Sequence, residues 1–172
     1  AVPCGGDYII GNMGDLAAAA QCESIAGTLW FDALPWLTEV DLPCLVSVGD
    51  ALVLEDNDAL TTVSLPAVET VGASLKIERN DALISVSLPA LTEVDYELYV
   101  YDNDALTGFD APALMTVGQG LYFTGNAVMT SIQLPALERV RGWTEFVTNA
   151  SLTRIDLRSL VVVHSDVYVT YN

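Results

Sequence analysis

The fold of this chain is decided by the stretch Leu75-Lys-Ile-Glu-Arg-Asn-Asp-Ala-Leu-Ile-Ser-Val-Ser-Leu-Pro-Ala-Leu91, because close copies stand on both sides of it. Residues 52–68 are LVLEDNDALTTVSLPAV, and residues 98–114 are LYVYDNDALTGFDAPAL. Six of the seven asparagines keep the same 23-residue spacing: Asn57, Asn80, Asn103, Asn126, Asn149 and Asn172. A fixed period of this length is typical of a solenoid, in which each coil buries its apolar side against the next.

Every repeat begins with a few alternating β-prone residues, such as Leu75-Lys76-Ile77. This alternation predicts a short strand with one buried face, and strands that recur in the same direction must pair in parallel, about 4.8 Å apart. The predicted strands are 29–33, 52–56, 75–79, 98–102, 121–125, 144–148 and 167–171. Their inward residues run from Leu29 and Phe31 to Val167 and Val169.

The rest of each coil is predicted to be extended, because no repeat contains a long amphipathic helical run. Three further apolar positions recur in every coil, beginning at Leu37, Val40 and Leu45. The asparagine side chains are predicted to form a hydrogen-bonded ladder along the solenoid. A proline recurs at one corner of five coils, and Arg158 takes its place in the last.

The motif Asn-Asp-Ala-Leu-x-x-Val-x-Leu-Pro-Ala-Leu resembles the leucine-rich coils of receptor L domains, the ligand-binding β-helical domains of growth-factor and insulin receptors. It is also similar to repeats in microbial surface proteins and fungal cell-wall glycoproteins. The resemblance implies an all-β fold, a single right-handed parallel β-solenoid with a short N-terminal capping helix. Residues 1–27 would form the cap, and residues 28–172 six 23-residue coils plus a final strand. Within the cap we predict a helix at the Ala17–Ala20 run with Asp15 as its N-cap.

Charge and composition exclude some classes of function. The chain has 23 acidic and 6 basic residues, a net charge of −17, so it repels nucleic-acid phosphates and anionic lipid. Apolar residues make up 52% of the chain, which argues against disorder. No apolar run reaches the roughly 18 residues that a membrane-spanning helix needs, so we expect no membrane insertion.

The three cysteines are Cys4, Cys22 and Cys44. Because Cys4 and Cys22 flank the irregular first segment, a disulfide between them would hold a capping structure in place. A zinc site is the rival interpretation, but no histidine lies near the cysteines. Cys44 would stay free or pair outside the chain. A disulfide indicates an oxidising location: extracellular, at the cell surface or periplasmic.

The outward strand positions supply the candidate binding residues. All four phenylalanines fall at inward positions, whereas most tyrosines and tryptophans fall outward, the residue types that interfaces favour. The predicted contact patch is centred on Tyr99, Tyr101, Tyr122 and Trp143, with Trp30 and Tyr168 further along the face and Glu97 and Glu145 as a polar rim. The alternative is that these aromatic residues only stabilise neighbouring strands.

The same face has an acidic half, where Asp32, Glu55 and Glu78 should stack in adjacent coils. Neighbouring carboxylates about 5 Å apart repel by roughly 1 kcal/mol even in water. Lys76 and Arg79 should relieve part of this repulsion. Calcium binding is a second interpretation, but no dedicated calcium loop is present. We therefore favour a solvated acidic face, with no metal and no cofactor.

Catalysis has little support in the sequence. His164 is the only histidine, and neither a nucleophile elbow nor a glycine-rich phosphate loop is present. The Glu55–Glu78 spacing superficially suits a retaining glycosidase, but an open sheet face does not shield a proton donor. A recurring threonine, as at Thr61 and Thr107, raises the further alternative of an ice-binding array.

The predicted function is non-catalytic recognition or adhesion, with a protein or a carbohydrate as the ligand. The alternative is a structural spacer in a larger surface protein. A last strand at 167–171 would leave an unpaired edge. We expect the natural chain to continue past Asn172, with end-to-end self-association as the second solution.

Overall fold

The computed structural model describes residues 2–172 and shows an all-parallel β-solenoid of about seven turns, built from coils of about 23 residues. The predicted fold class is therefore confirmed. Each complete coil contributes one strand to each of three sheets, and every strand pairs in parallel with its equivalent in the next coil. The three sheets surround a single apolar core.

The sheet with the longest strands is called the front sheet below. Its eight strands are β2 (Tyr8–Ile10), β4 (Leu29–Asp32), β7 (Leu52–Glu55), β10 (Leu75–Glu78), β13 (Leu98–Tyr101), β16 (Leu121–Thr124), β19 (Thr144–Val147) and β22 (Val167–Thr170).

The second sheet has six strands, which follow the front strands in each coil. They are β5 (Glu39–Asp41), β8 (Thr62–Ser64), β11 (Ser85–Ser87), β14 (Gly108–Asp110), β17 (Ser131–Gln133) and β20 (Arg154–Asp156). The third sheet has eight strands, most of them only two residues long. They are β1 (Val2–Cys4), β3 (Cys22–Ile25), β6 (Ser47–Val48), β9 (Thr70–Val71), β12 (Glu93–Val94), β15 (Thr116–Val117), β18 (Arg139–Val140) and β21 (Val162–Val163).

The front strands end one residue earlier than predicted, because the next residue adopts a left-handed backbone conformation. This residue has φ between 48° and 59° in six coils and is Gly125, with φ 74°, in the seventh. The six non-glycine residues are Ala33, Asp56, Arg79, Asp102, Thr148 and Tyr171. A left-handed residue breaks the strand and turns the chain inward, so that the following asparagine points into the core.

The predicted asparagine ladder is present. Asn57, Asn80, Asn103, Asn126 and Asn149 are fully buried, and each side chain bonds to the next asparagine along the solenoid. Oδ1 of Asn103, for example, accepts from the backbone N–H and the Nδ2 of Asn80, both at 3.2 Å. The ladder ends at Leu34, where no asparagine stands, and the Leu34 backbone N–H donates to Oδ1 of Asn57 at 3.1 Å.

The core contains the three predicted apolar columns and two more. The column beginning at Leu42 lies just before the proline corner, and the column beginning at Ile25 lies on the third sheet. Their buried members are Leu42, Leu65, Leu88, Ala111 and Leu134, and Ile25, Val48, Val71, Val94, Val117 and Val140. The residue before each recurring proline is therefore as much a core residue as the leucines of the front strands.

The N-terminal segment covers one end of this core. Its helix α1 (Met13–Ala19) is capped by Asn12, whose Oδ1 accepts from the Gly14 and Asp15 backbone N–H groups. The prediction of Asp15 as N-cap is wrong: Asp15 is the third helical residue, and its carboxylate bonds back to the Asn12 N–H in a capping box. The predicted Cys4–Cys22 disulfide is present, and Cys44 is a free, exposed thiol.

The other end of the stack has the unpaired edge that was predicted. Phe146 is buried, whereas Val167 and Val169, the inward residues of the last strand, are 52% and 56% exposed. They belong to β22, which pairs with β19 along one edge only. In the same region Arg158, which replaces the recurring proline, holds Asp156 in an ion pair to which Arg154 also contributes.

Thr144 occupies an inward position that is leucine in the five preceding coils, and its Oγ1 has no hydrogen-bond partner among residues 2–172. A buried hydroxyl without a partner costs about 1–3 kcal/mol. We expect Thr144→Val to raise the free energy of unfolding by about 1 kcal/mol, measured by urea denaturation. Thr153→Val is the matched control, because the Thr153 hydroxyl donates to the Thr130 carbonyl at 3.1 Å. A Thr144→Val variant no more stable than the wild type would contradict this account.

Candidate ligand-binding face

The outward side chains of the front sheet stand in columns, because the strands pair without a register shift. One column contains Ile9, Trp30, Val53, Lys76, Tyr99, Tyr122, Glu145 and Tyr168. The next contains Asp32, Glu55, Glu78, Tyr101, Thr124, Val147 and Thr170. These columns contain most of the candidate residues and divide them into three groups.

The first group is a tyrosine cluster of Tyr99, Tyr101 and Tyr122. The rings of Tyr99 and Tyr101 are stacked with centroids 5.6 Å apart, and Tyr122 meets Tyr99 edge to face at 5.7 Å. Burial raises the pKa of Tyr99 and Tyr122, and a hydrogen bond with Asp102 raises the pKa of Tyr101. All three phenols therefore stay protonated and remain hydrogen-bond donors at physiological pH.

The second group is the stacked pair of Trp143 and Tyr168, with ring centroids 5.9 Å apart. Both side chains are about two-fifths exposed, at 43% and 42%. Glu145 lies between Tyr122 and Tyr168 in the same column. The charges of Glu97 and Glu145 add to the rise in the Tyr122 pKa, so both predicted rim residues lie near the tyrosine cluster.

The third group contains Trp30, which lies apart from the other aromatic residues of the face. Its indole Nε1 donates to the Glu55 carboxylate at 2.8 Å. Lys76 and Val53 separate it from Tyr99 in the column. Trp30 therefore belongs to the acidic half of the face.

The predicted stack of carboxylates is held by Arg79. This guanidinium makes two hydrogen bonds to Asp56, at 2.7 and 3.0 Å, and lies 3.2 Å from Glu78 and 3.6 Å from Glu55. The hydrogen bond from Arg79 lowers the pKa of Asp56, and burial raises the pKa of Glu78. Charge repulsion in this column is thus relieved by one arginine.

Two residues near the tyrosine cluster were not among the predicted site residues. Tyr96 lies just before β13 and is 47% exposed. The negative charge of its ionised form would further raise the pKa of Tyr122. Gly120 leaves room for the Tyr122 ring, which a Cβ at this position would meet directly. The signal for Gly120 was its place in the repeat, where larger residues such as Glu97 and Trp143 stand in the neighbouring coils.

Other predicted features lie elsewhere. Four threonine hydroxyls of the recurring column donate to carbonyls of the preceding coil, as Thr61 does to Thr38 at 2.9 Å, so these donors are not free to order water. His164 is exposed and follows β21. Among residues 2–172, no three His, Cys, Asp or Glu side chains are grouped as metal ligands would be. The same residues include no helix long and apolar enough to cross a membrane.

Comparison of the chain with protein-family models, with curated proteins and with solved structures finds no match.

Proposed function

We propose that this chain is a non-catalytic recognition or adhesion module that works outside the cell, at the cell surface or in the periplasm. It binds a protein or a glycan through the aromatic half of the front sheet. The observation that carries the proposal is the tyrosine cluster of Tyr99, Tyr101 and Tyr122. These rings contact one another on the outward side of the sheet, separated from the core by the strands themselves.

The chemistry of the cluster supports recognition. Tyrosine combines a large apolar ring with a hydroxyl donor, and such residues are enriched where binding energy is concentrated. The Trp143–Tyr168 pair extends the aromatic surface, and Glu97 and Glu145 add polar groups at its side. A rigid parallel sheet holds these groups in place, so little conformational entropy is lost when a ligand binds.

The proposal agrees with the resemblance to receptor L domains, which share a solenoid that presents a ligand-binding surface. The Cys4–Cys22 disulfide supports an oxidising location. The open geometry of the tyrosine cluster supports binding rather than catalysis, because these side chains do not enclose a substrate.

The test is a screen of the purified protein against arrays of glycans and extracellular proteins, followed by the Tyr99→Ala/Tyr122→Ala variant. We expect the double substitution to weaken the interactions found by at least about tenfold, because two ring contacts are lost. Circular dichroism checks that the solenoid remains folded.

Tyr171→Ala is the matched control, because this tyrosine is 85% exposed and lies outside the cluster. It should bind as the wild type does. Full binding by the double variant would show that the tyrosine cluster is not the contact surface. A screen without any interaction would favour the structural spacer.

A further inference from the structure

The acidic half of the front sheet contains a groove of about 480 Å³. No residue of the tyrosine cluster lines it. Small-molecule sites typically enclose roughly 300–1,000 Å³. The groove is lined in part by Asp7, Trp30, Val53, Glu55, Lys76 and Glu78. Its origin is a short side chain between two long ones: Val53 stands between Trp30 and Lys76 in one column. Trp30 and Lys76 are thus two strand spacings apart, about 10 Å.

The carboxylates of the groove are held in fixed positions by the protein. Glu55 accepts from the Trp30 indole at 2.8 Å, and Glu78 accepts from Arg79 at 3.2 Å. Asp7 accepts from the Thr28 backbone N–H at 2.9 Å. A carboxylate has about four lone-pair positions, so each of these groups keeps acceptor capacity for a ligand.

The two ends of the groove offer different chemistry. Because the Trp30 N–H is already bonded to Glu55, the indole offers a ligand its apolar ring surface. At the other end, the Lys76 amine has neither a hydrogen bond nor an ion pair with any of residues 2–172. Lys76 therefore provides a free donor opposite the indole.

We propose that this Trp30–Lys76 groove binds one uncharged hexopyranose ring. The sugar packs an apolar C–H face against the Trp30 indole. Its hydroxyls donate to Glu55 and Glu78 and accept from Lys76. This inference goes beyond the proposed recognition function, because the groove lies outside the tyrosine cluster.

Charge favours a neutral ligand over a charged one. An anion would meet three carboxylates at Asp7, Glu55 and Glu78. A cation would meet Glu55 and Glu78 already paired with Arg79, together with the positive charge of Lys76. The groove thus combines fixed carboxylate acceptors, the apolar surface of the indole and one free donor. This combination suits a polyhydroxylated sugar ring, which can use all three kinds of contact.

The test follows the Trp30 indole N–H signal in NMR spectra of the full chain, assigned with Trp30→Phe. The probes are the methyl glycosides of glucose, galactose and mannose, with N-acetyl-lysine methylamide as a cationic probe. We expect at least one neutral glycoside to shift the signal with millimolar affinity, and this affinity to be nearly independent of salt concentration. The lysine derivative should cause no shift.

Val53→Tyr tests the place of binding. It fills the groove with a residue that the same column carries at Tyr99 and Tyr122, so the strand should fold normally. We expect Val53→Tyr to raise the Kd of the glycoside at least tenfold. This Kd is measured from the methyl signals of the glycoside. Val147→Tyr makes the same change on the same sheet face outside the groove and should bind as the wild type does.

Three results would overturn the inference: no shift of the Trp30 signal with any neutral glycoside, a shift with the lysine derivative alone, or unchanged affinity in Val53→Tyr. The two proposals fail separately. If Tyr99→Ala/Tyr122→Ala abolishes the interactions found on the arrays and Val53→Tyr does not, the recognition function stands and the groove does not. The reverse result supports the groove and removes the tyrosine cluster as the contact surface.

Discussion

Asn103→Ala should lower the free energy of unfolding by about 3–5 kcal/mol, a loss large enough to destabilise most single domains severely. Asn103 is fully buried, and its Nδ2 donates to the carbonyls of Ile77 and Tyr101 at 2.9 and 3.1 Å. Its Oδ1 also accepts from the Asn80 backbone N–H. Alanine would leave these groups without partners where water cannot replace the side chain, at about 1–3 kcal/mol each. Urea denaturation followed by circular dichroism measures the loss.

The ladder itself offers a matched control in Asn172→Ala. Asn172 is exposed and is the last asparagine, so water can reach the groups that its removal frees. We expect its substitution to cost less than half as much as that of Asn103. If both variants lost the same small amount, the ladder would not be the main support of the turn.

Asn103→Asp separates hydrogen bonding from packing at the same position. A carboxylate there would face the Ile77 and Tyr101 carbonyls, so the folded state should raise the pKa of the new carboxyl above about 3.9. The protonated form is then favoured in the folded protein. The stability deficit relative to wild type should be smallest at low pH and grow as the pH rises through the folded pKa. A deficit independent of pH would contradict this account.

Loss of the Cys4–Cys22 disulfide is expected to have the second largest effect. The bond closes a loop with a sequence separation of 18 residues, which corresponds to about 3 kcal/mol of stabilisation. The loop contains α1 and contributes Ile10 and Ala19 to the core. We expect Cys4→Ala/Cys22→Ala to lower the stability of the N-terminal segment by about this amount. Hydrogen exchange should show loss of protection mainly in residues 2–25, since neighbouring coils of a solenoid contribute separately to stability.

Cys44→Ala is the matched control, because Cys44 is exposed and forms no disulfide among the described residues. It should unfold as the wild type does, and a reducing agent should destabilise it as much as it does the wild type. If the double variant were as stable as Cys44→Ala, the disulfide would contribute nothing to the stability of the cap.

The period, the parallel sheet and the identity of most core residues could be predicted from the sequence. A buried column in a solenoid must recur at one position in every coil, so the repeated leucines and asparagines identify themselves. Inward Phe123 was likewise distinguished from outward Tyr122, because neighbouring strand residues point to opposite faces. The column beginning at Leu42 was missed, although its members continue the alternation of the second sheet, as Leu65 does two residues after Val63.

Only the tertiary structure decided how the outward side chains are arranged. Register places Trp30 and Tyr99 in one column, but the indole bonds to Glu55 and the tyrosine packs on Tyr101 and Tyr122. The left-handed residue at the end of each front strand was likewise invisible in the sequence, since alanine, aspartate, arginine and threonine all occupy it. The core positions follow from the sequence itself, because only one side of each strand can be buried. The direction of a long surface side chain depends on partners in other coils, which are only brought beside it when the solenoid stacks.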